Sequence, residues 1–83
     1  MTGEGIRQAI VDIIREIVPD EDLGSIDSET PLRDQVDLDS MDFLDIVMEL
    51  RKRYNIEVPE QDYPELATLN STISYLLPKM ESL

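Results

Sequence analysis

Apolar residues recur in three segments of the chain at the spacing of an amphipathic helix, and this periodicity constrains the fold more than any other feature. Residues 4–18 form the first predicted helix, which places its isoleucines on one face and which Pro19 ends. Residues 40–54 form the second, because Asp39 is a good N-cap residue and the apolar pattern is unbroken up to Asn55. Each of these helices can bury one face against a common core.

The last part of the chain contains another long helix, preceded by a short one at most. Thr68 is predicted to cap the last helix and Pro78 to end it, so the residues after Pro78 are expected to fray. Residues 60–66 form at most a short helix, because Pro64 interrupts them. Residues 56–59 alternate like a strand but have no partner strand, so an extended loop is expected there.

A long polar connection joins the first two long helices, and its scattered apolar residues are expected to hold it against the core. These apolar residues are Leu23, Ile26, Leu32, Val36 and Leu38. Within the connection, Thr30 and Pro31 suit the N-cap and the first position of a short helical turn. The predicted fold is therefore all-α, a four-helix bundle of three main helices and a short third helix, with a long first loop.

The residue types that are absent exclude most catalytic chemistry. The 83 residues suffice for a single domain, residues 1–83. The chain has no Cys and no His, which excludes disulfides, thiolate nucleophiles, the usual zinc sites and the commonest general base. The aspartates of residues 34–45 do not follow the ligand spacing of a calcium-binding EF-hand loop. We expect no metal site and no enzyme.

The charge balance indicates what kind of partner the protein binds. With 19 acidic and 7 basic residues the net charge is -12, which repels nucleic acids and anionic membrane surfaces. Partner proteins are therefore expected to present basic patches. No segment approaches the roughly 20 apolar residues that a membrane span needs, and the first residues lack the features of a signal peptide. We expect a cytoplasmic monomer.

Two methionines lie on the face of the second long helix that points away from the predicted core. Met41 and Met48 are surrounded by Asp42, Asp45 and Glu49. Isolated apolar residues are common on any surface, so the methionines alone could be incidental. Their acidic surroundings favour a docking surface instead, because methionine adapts to several partners and carboxylates steer a basic partner into register.

Ser40 occupies the first position of the same helix, directly after Asp39. A phosphoryl group on its hydroxyl would meet free backbone N–H groups and the positive end of the helix dipole, which stabilise negative charge. The nearby carboxylates of Asp37 and Asp42 oppose that charge. Spacing alone therefore allows both an ordinary residue at a helix start and an attachment point.

Residues 37–42 (DLDSMD), followed by a helix and by residues 56–59 (IEVP), closely resemble the phosphopantetheine attachment region of acyl carrier proteins, whose usual core is Asp-Ser-Leu. The resemblance extends over most of the chain. It implies that Ser40 receives a 4′-phosphopantetheine arm from a phosphopantetheinyl transferase, with Asp39 in a supporting role. It also implies that the arm carries acyl groups as thioesters for enzymes of fatty acid, polyketide or related specialised lipid synthesis, and that the protein itself catalyses nothing.

The resemblance further implies roles for residues around the attachment point. The positions that partner enzymes contact correspond to Met41, Asp42, Asp45, Met48 and Glu49. In such proteins the acyl chain can lie in a sheath between the helices. The candidates to line this sheath are Phe43, Leu44, Val47, Val58, Leu66 and Ile73.

Several positions depart from the family pattern. Asp37 stands where glycine is usual, so it is expected to adopt a left-handed turn conformation, which Asp tolerates better than most residues. Phe43 replaces a smaller residue and is expected to narrow the mouth of the sheath, which favours short or unusual acyl groups. Residues 51–53 are basic, which suits a helix C-terminus and could also alter partner choice. Residues 63–66 (YPEL) are a further departure.

Two other functions are compatible with the same sequence. A peptidyl or D-alanyl carrier would use the same arm for an amino acid. Peptidyl carriers usually have Gly-Gly-His or Gly-Gly-Asp before the serine, unlike residues 37–39, whereas D-alanyl carriers share the Asp-Ser core. An unmodified acidic adaptor would bind basic partners through Met41 and Met48 alone. Modification of Ser40 would distinguish a carrier, which bears the arm, from an adaptor, which does not.

Overall fold

The structure is a computed structural model that describes residues 2–20, 23 and 26–81, and these residues form helices and no strand. The elements are α1, Gly3–Ile17; α2, Leu32–Gln35; α3, Ser40–Tyr54; a 3₁₀ helix, Glu60–Leu66; and α4, Leu69–Met80. α1 packs against α3 and α4, and the 3₁₀ helix packs against α4. The predicted all-α fold is confirmed.

The core lies between the three long helices and is built from the apolar faces that the periodicity predicts. α1 contributes more buried residues than any other helix: Ile6, Ala9, Ile10, Val11, Ile13 and Ile14. The buried residues of the other long helices are Ile46 and Leu50 in α3 and Leu69, Thr72, Leu76 and Met80 in α4. Burial of these side chains is the main favourable contribution that offsets the chain entropy lost on folding.

The long connection between α1 and α3 is held against this core, as predicted. Its five apolar residues are all buried: Leu23, Ile26, Leu32, Val36 and Leu38. The Arg7 guanidinium of α1 donates to the backbone oxygen of Ile26 at 3.3 Å. The Gln35 side-chain amide donates to the backbone oxygens of Asp27 and Thr30 at 2.8 and 3.0 Å. These contacts fix α2, and with it the start of α3, against the bundle.

α3 begins and ends where the sequence predicts. Asp39 is its N-cap residue, and Asn55 ends it in the left-handed conformation with a φ of 58°. The N–H of Asn55 donates to the backbone oxygen of Arg51 at 2.9 Å, which satisfies one of the last carbonyls of the helix. Asparagine adopts this conformation at a lower cost than most residues. Residues 56–59 then form a loop, as expected.

The start of α2 differs from the prediction. Pro31, and not Thr30, is the N-cap residue, and no side chain caps this helix. The N–H of Leu32 instead donates to the backbone oxygen of Ala67 at 2.8 Å. Because a distant segment satisfies this donor, the helix needs no side-chain cap.

The prediction that Asp37 adopts a left-handed conformation is wrong. Asn55 is the only described residue other than glycine with a positive φ, so the φ of Asp37 is negative. The N–H of Leu38 donates to the backbone oxygen of Val36 at 2.8 Å, which closes a three-residue turn around Asp37. With a negative φ this is the inverse γ-turn, which is open to residues with a side chain. The turn therefore needs no glycine.

The end of α4 also corrects the sequence prediction. Thr68 caps the helix as predicted and accepts from the N–H of Ser71 at 2.9 Å, but Pro78 lies inside the helix, which continues to Met80. Proline within a helix costs about 3 kcal/mol. Met80 is 0% exposed, and burial of a methionine side chain contributes about 1.5–3 kcal/mol, which offsets much of this cost. The chain therefore does not fray directly after Pro78; residues 82 and 83 lie outside the described part.

The short third helix forms as a 3₁₀ helix despite Pro64. Leu66 anchors it in the core. The Tyr75 hydroxyl of α4 donates to the Asp62 carboxylate at 2.6 Å, and the Lys79 ammonium lies 5.0 Å from the centre of the Tyr75 ring. The hydrogen bond between Tyr75 and Asp62 joins the 3₁₀ helix to α4.

Candidate functional site

Asp39 and Asp42 form a reciprocal capping box at the N-terminus of α3. The Asp39 carboxylate accepts from the N–H of Asp42 at 2.9 Å, and the Asp42 carboxylate accepts from the N–H of Asp39 at 3.3 Å. Both carboxylates are therefore turned toward the backbone. The box also fixes the register in which Ser40 is the first residue of the helix.

The Ser40 side chain is exposed, and its hydroxyl makes no hydrogen bond to any described residue. The N–H groups of Ser40 and Met41 have no acceptor within the described part of the chain, as is usual for the first residues of a helix. These N–H groups and the helix dipole create a positive end beside the hydroxyl. A phosphodiester on the Oγ of Ser40 fits this position.

An open and mostly apolar cleft of about 410 Å³ begins at Ser40, between α2, α3 and the 3₁₀ helix. Its lining residues are Arg33, Ser40, Phe43, Leu44, Tyr63, Pro64 and Ala67. The rings of Phe43 and Tyr63 meet edge to face, with their centres 6.2 Å apart. The cleft gives a group attached to Ser40 an apolar surface next to its anchor.

The structure divides the predicted acyl sheath between two cavities. Phe43 and Leu44 line the cleft that begins at Ser40. Val47 and Val58 line a second cavity of about 500 Å³ instead. Four of the six predicted sheath residues therefore line these two neighbouring cavities, which share Tyr63.

Two of the predicted sheath residues line neither cavity, because Leu66 is buried in the core and Ile73 packs against it. The cleft is instead completed by Arg33, Tyr63 and Pro64, which sequence reasoning did not place there. Tyr63 and Pro64 stand out in the sequence as a departure from the family pattern. Nothing in the sequence marks Arg33.

The outer face of α3 presents apolar side chains among carboxylates. Met41 is 74% exposed and Met48 is 66% exposed. Asp45 on the same helix is exposed, and Asp42 and Glu49 are half-buried. These five residues are called the methionine face below. It combines an adaptable apolar contact with negative charge.

The C-terminal half of α3 is basic, but its arginines are paired. Arg53 lies 3.1 Å from Glu49 and also pairs with Glu16 of α1. Arg51 lies 3.6 Å from Glu57 in an exposed pair. The contacts of Arg53 link α3 to α1, so the basic residues serve the helix end and its packing.

Within residues 2–20, 23 and 26–81, no group of three or more His, Cys, Asp or Glu is placed to hold a metal ion. No helix in the described part of the chain is both long enough and apolar enough to cross a membrane.

Comparison with known proteins links this site to a family. A family model described as a phosphopantetheine attachment site matches residues 6–76. The acyl carrier protein of Tropheryma whipplei (strain Twist) is 30% identical over 74 residues, covering 86% of this chain and 90% of that protein. The acyl carrier protein of Lactobacillus johnsonii is 32% identical over 76 residues, covering 92% and 94%. The acyl carrier protein of Chlorobium phaeobacteroides is 28% identical over 80 residues, covering 95% and 100%.

The matched residues include the start of α3, where an exposed hydroxyl and free N–H groups suit a phosphodiester. The prosthetic group of this protein is therefore 4′-phosphopantetheine, and its role is that of a carrier and not of an enzyme. The chain belongs to the acyl carrier protein family.

Proposed function

We propose that Ser40 carries the 4′-phosphopantetheine arm and that the protein presents acyl groups to enzymes of fatty acid, polyketide or related specialised lipid synthesis. The observation that carries this proposal is the Ser40 hydroxyl, which is exposed at the first position of α3 beside an apolar cleft and makes no hydrogen bond to a described residue. When bound, the arm supplies a thiol that holds an acyl group as a thioester. The chain itself anchors, orients and shields the cargo.

Asp39 supports the attachment without touching the reacting atoms. By capping α3 it holds Ser40 at the helix start, where the N–H groups of Ser40 and Met41, which no described residue accepts from, stabilise negative charge. A capping carboxylate is worth about 1 kcal/mol to its helix. Asp39 is therefore a positioning residue.

The methionine face is the surface that we propose meets partner enzymes, including the phosphopantetheinyl transferase. Its carboxylates attract a basic patch from a distance, and Met41 and Met48 adapt to an apolar contact once the partner is close. Met41 directly follows Ser40, so a partner bound there is next to the attachment point. The face has to stay free for these partners, which favours a monomer.

Intact-mass measurement tests the attachment residue. Unmodified protein is incubated with a phosphopantetheinyl transferase and coenzyme A. The transferase joins the Oγ of Ser40 to the phosphorus that bears the pantetheine, and adenosine 3′,5′-bisphosphate and the hydroxyl proton leave. Wild type should gain the mass of one phosphopantetheine group, and Ser40→Ala should gain none.

Ser74→Ala is the matched control, because it removes another exposed hydroxyl and should be modified like wild type. Modification of Ser40→Ala, or no modification of folded wild type by an active transferase, would contradict the proposal.

A further inference from the structure

The cleft beside Ser40 carries positive charge in a strongly acidic protein. Arg33 lines it, and none of its other lining residues is acidic or basic. Carboxylates line both the second cavity and a groove of about 800 Å³ along α3. They belong to Glu57 and Asp62 in the former and to Glu16, Asp42, Asp45 and Glu49 in the latter. Arg33 is thus the only charged side chain among the described residues that line the cleft, whereas the second cavity and the groove are lined by both carboxylates and basic side chains.

The Arg33 side chain is available to bind an anion. It is exposed and makes no hydrogen bond or ion pair with any described residue. Arg51 and Arg53, in contrast, pair with carboxylates, and Arg7 donates to a backbone oxygen. A guanidinium group with free N–H donors binds a carboxylate in a bidentate geometry.

The aromatic wall of the cleft limits the length of a cargo. Tyr63 lines both the cleft and the second cavity, and Phe43 packs edge to face against it. The Tyr63 ring, with Phe43 packed against it, therefore lies between the cleft and the space near Val47 and Val58. An acyl chain that extended into this space would have to break the edge-to-face contact between the two rings.

We propose that this cleft holds a short acyl group whose far end carries a carboxylate. The apolar part of the cargo lies against Phe43 and Tyr63, and its carboxylate binds the Arg33 guanidinium. This inference rests on Ser40 as the attachment residue, because the tether keeps the cargo beside the cleft. At effective concentrations in about the millimolar range, even a weak site is occupied.

NMR spectra of ¹⁵N-labelled protein test the carboxylate. The transferase attaches an arm that already carries its cargo, taken from pentanoyl-coenzyme A or glutaryl-coenzyme A. The two cargoes have the same number of carbon atoms, and only the glutaryl group ends in a carboxylate. Glutaryl cargo should shift the Nε–H signal of Arg33 and the amide signals of Leu44 and Tyr63 more than pentanoyl cargo does. In Arg33→Gln the difference at Leu44 and Tyr63 should disappear. Arg15→Gln, which removes an exposed arginine of α1, is the control, and the difference between the two cargoes should persist in it.

Equal shifts from the two cargoes, or a glutaryl effect that survives Arg33→Gln, would overturn the inference. The arm without cargo tests the other source of an anion: if it moves the Arg33 signal as far as the glutaryl form does, the guanidinium binds the phosphodiester and the inference is wrong. A loaded protein with no shift in the cleft contradicts only the cargo site. Absence of loading, read from intact mass, contradicts Ser40 as the attachment residue.

A dodecanoyl cargo tests the length limit. It should leave the amide signals of Val47 and Val58 in place in wild type and shift them in Phe43→Ala, where the aromatic wall is open. A dispersed spectrum shows that this variant is folded. Shifts of both signals in wild type would show that the two rings do not limit the cargo, and the short-cargo inference would fail.

Discussion

Ser40 can serve as an attachment point because Asp39 takes the capping role next to it. Serine is itself a favourable N-cap residue, and in that role its oxygen bonds to the backbone. Here the Asp39 carboxylate accepts from the N–H of Asp42 at 2.9 Å, and the Oγ of Ser40 makes no bond to a described residue. A cap shifted by one residue would engage the hydroxyl that the function needs.

The Tyr75 side chain makes the stability of the fold depend on pH in the alkaline range. Burial, the hydrogen bond to Asp62 and the nearby carboxylates of Asp62 and Glu65 raise the pKa of Tyr75 from 10.0 to about 12. The folded state therefore holds this proton more tightly than the unfolded state does. The resulting stabilisation is fully present below about pH 10 and is lost as pH rises through the folded pKa of about 12. We predict that the free energy of unfolding falls between these values.

Urea unfolding at a series of alkaline pH values measures this decline. In Tyr75→Phe the free energy of unfolding should decline less with rising pH, because the hydroxyl that titrates has been removed. Tyr54→Phe is the matched control and should keep the decline of wild type. An equal decline in wild type and Tyr75→Phe would contradict the assigned cause.

Sequence reasoning succeeded for residues whose role is local. The capping by Asp39 and the exposure of Met41 and Met48 follow from positions on one helix. Arg33 and Tyr63 could not be found in this way, because they are far apart in the sequence and line one cleft only after α2 and the 3₁₀ helix are packed. Their shared role is a property of the tertiary structure.

Among the helices, tertiary contacts moved boundaries that local rules had predicted. Pro78 is a strong stop signal, yet α4 continues because Met80 is buried. Thr30 is a good cap residue, yet α2 begins at Leu32 because Ala67 accepts from its N–H. Apolar periodicity predicted that the long helices exist, since it reflects the core that they share, but it does not report contacts at their ends.

The continuation of α4 leads to a prediction about Met80. Met80→Ala should lower the free energy of unfolding by about 2–5 kcal/mol, because the side chain is fully buried and its truncation leaves a cavity. Met41→Ala is the matched control, since its side chain is exposed and the change should stay within about 0.5 kcal/mol. Urea unfolding measures both. Equally small effects would mean that the chain after Pro78 is not part of the core.

The whole molecule is governed by its net charge of -12. Self-repulsion of like charges destabilises the compact state, while the same field attracts a basic partner. Both effects act over distances comparable to the Debye length, which shrinks from about 30 Å at about 0.01 M salt to about 10 Å at about 0.1 M. Salt therefore changes stability and docking together.

We predict opposite salt effects on these two properties. Raising sodium chloride over this range should raise the midpoint of thermal unfolding, because repulsion within the fold is screened. It should also slow modification of Ser40 by the transferase, because attraction to the methionine face is screened. Circular dichroism measures the first effect and time courses of intact mass the second. A modification rate that does not change with salt would contradict the electrostatic role of the methionine face.

The central claim is that the Ser40 hydroxyl holds the prosthetic group, and tryptic peptide mapping of the modified protein tests it most directly. Trypsin cleaves after Arg33 and Arg51, and the peptide of residues 34–51 contains Ser40 as its only Ser, Thr or Tyr. The predicted result is the mass of one phosphopantetheine group on this peptide and on no other. The same mass on any other peptide, with residues 34–51 unmodified, would contradict the assignment.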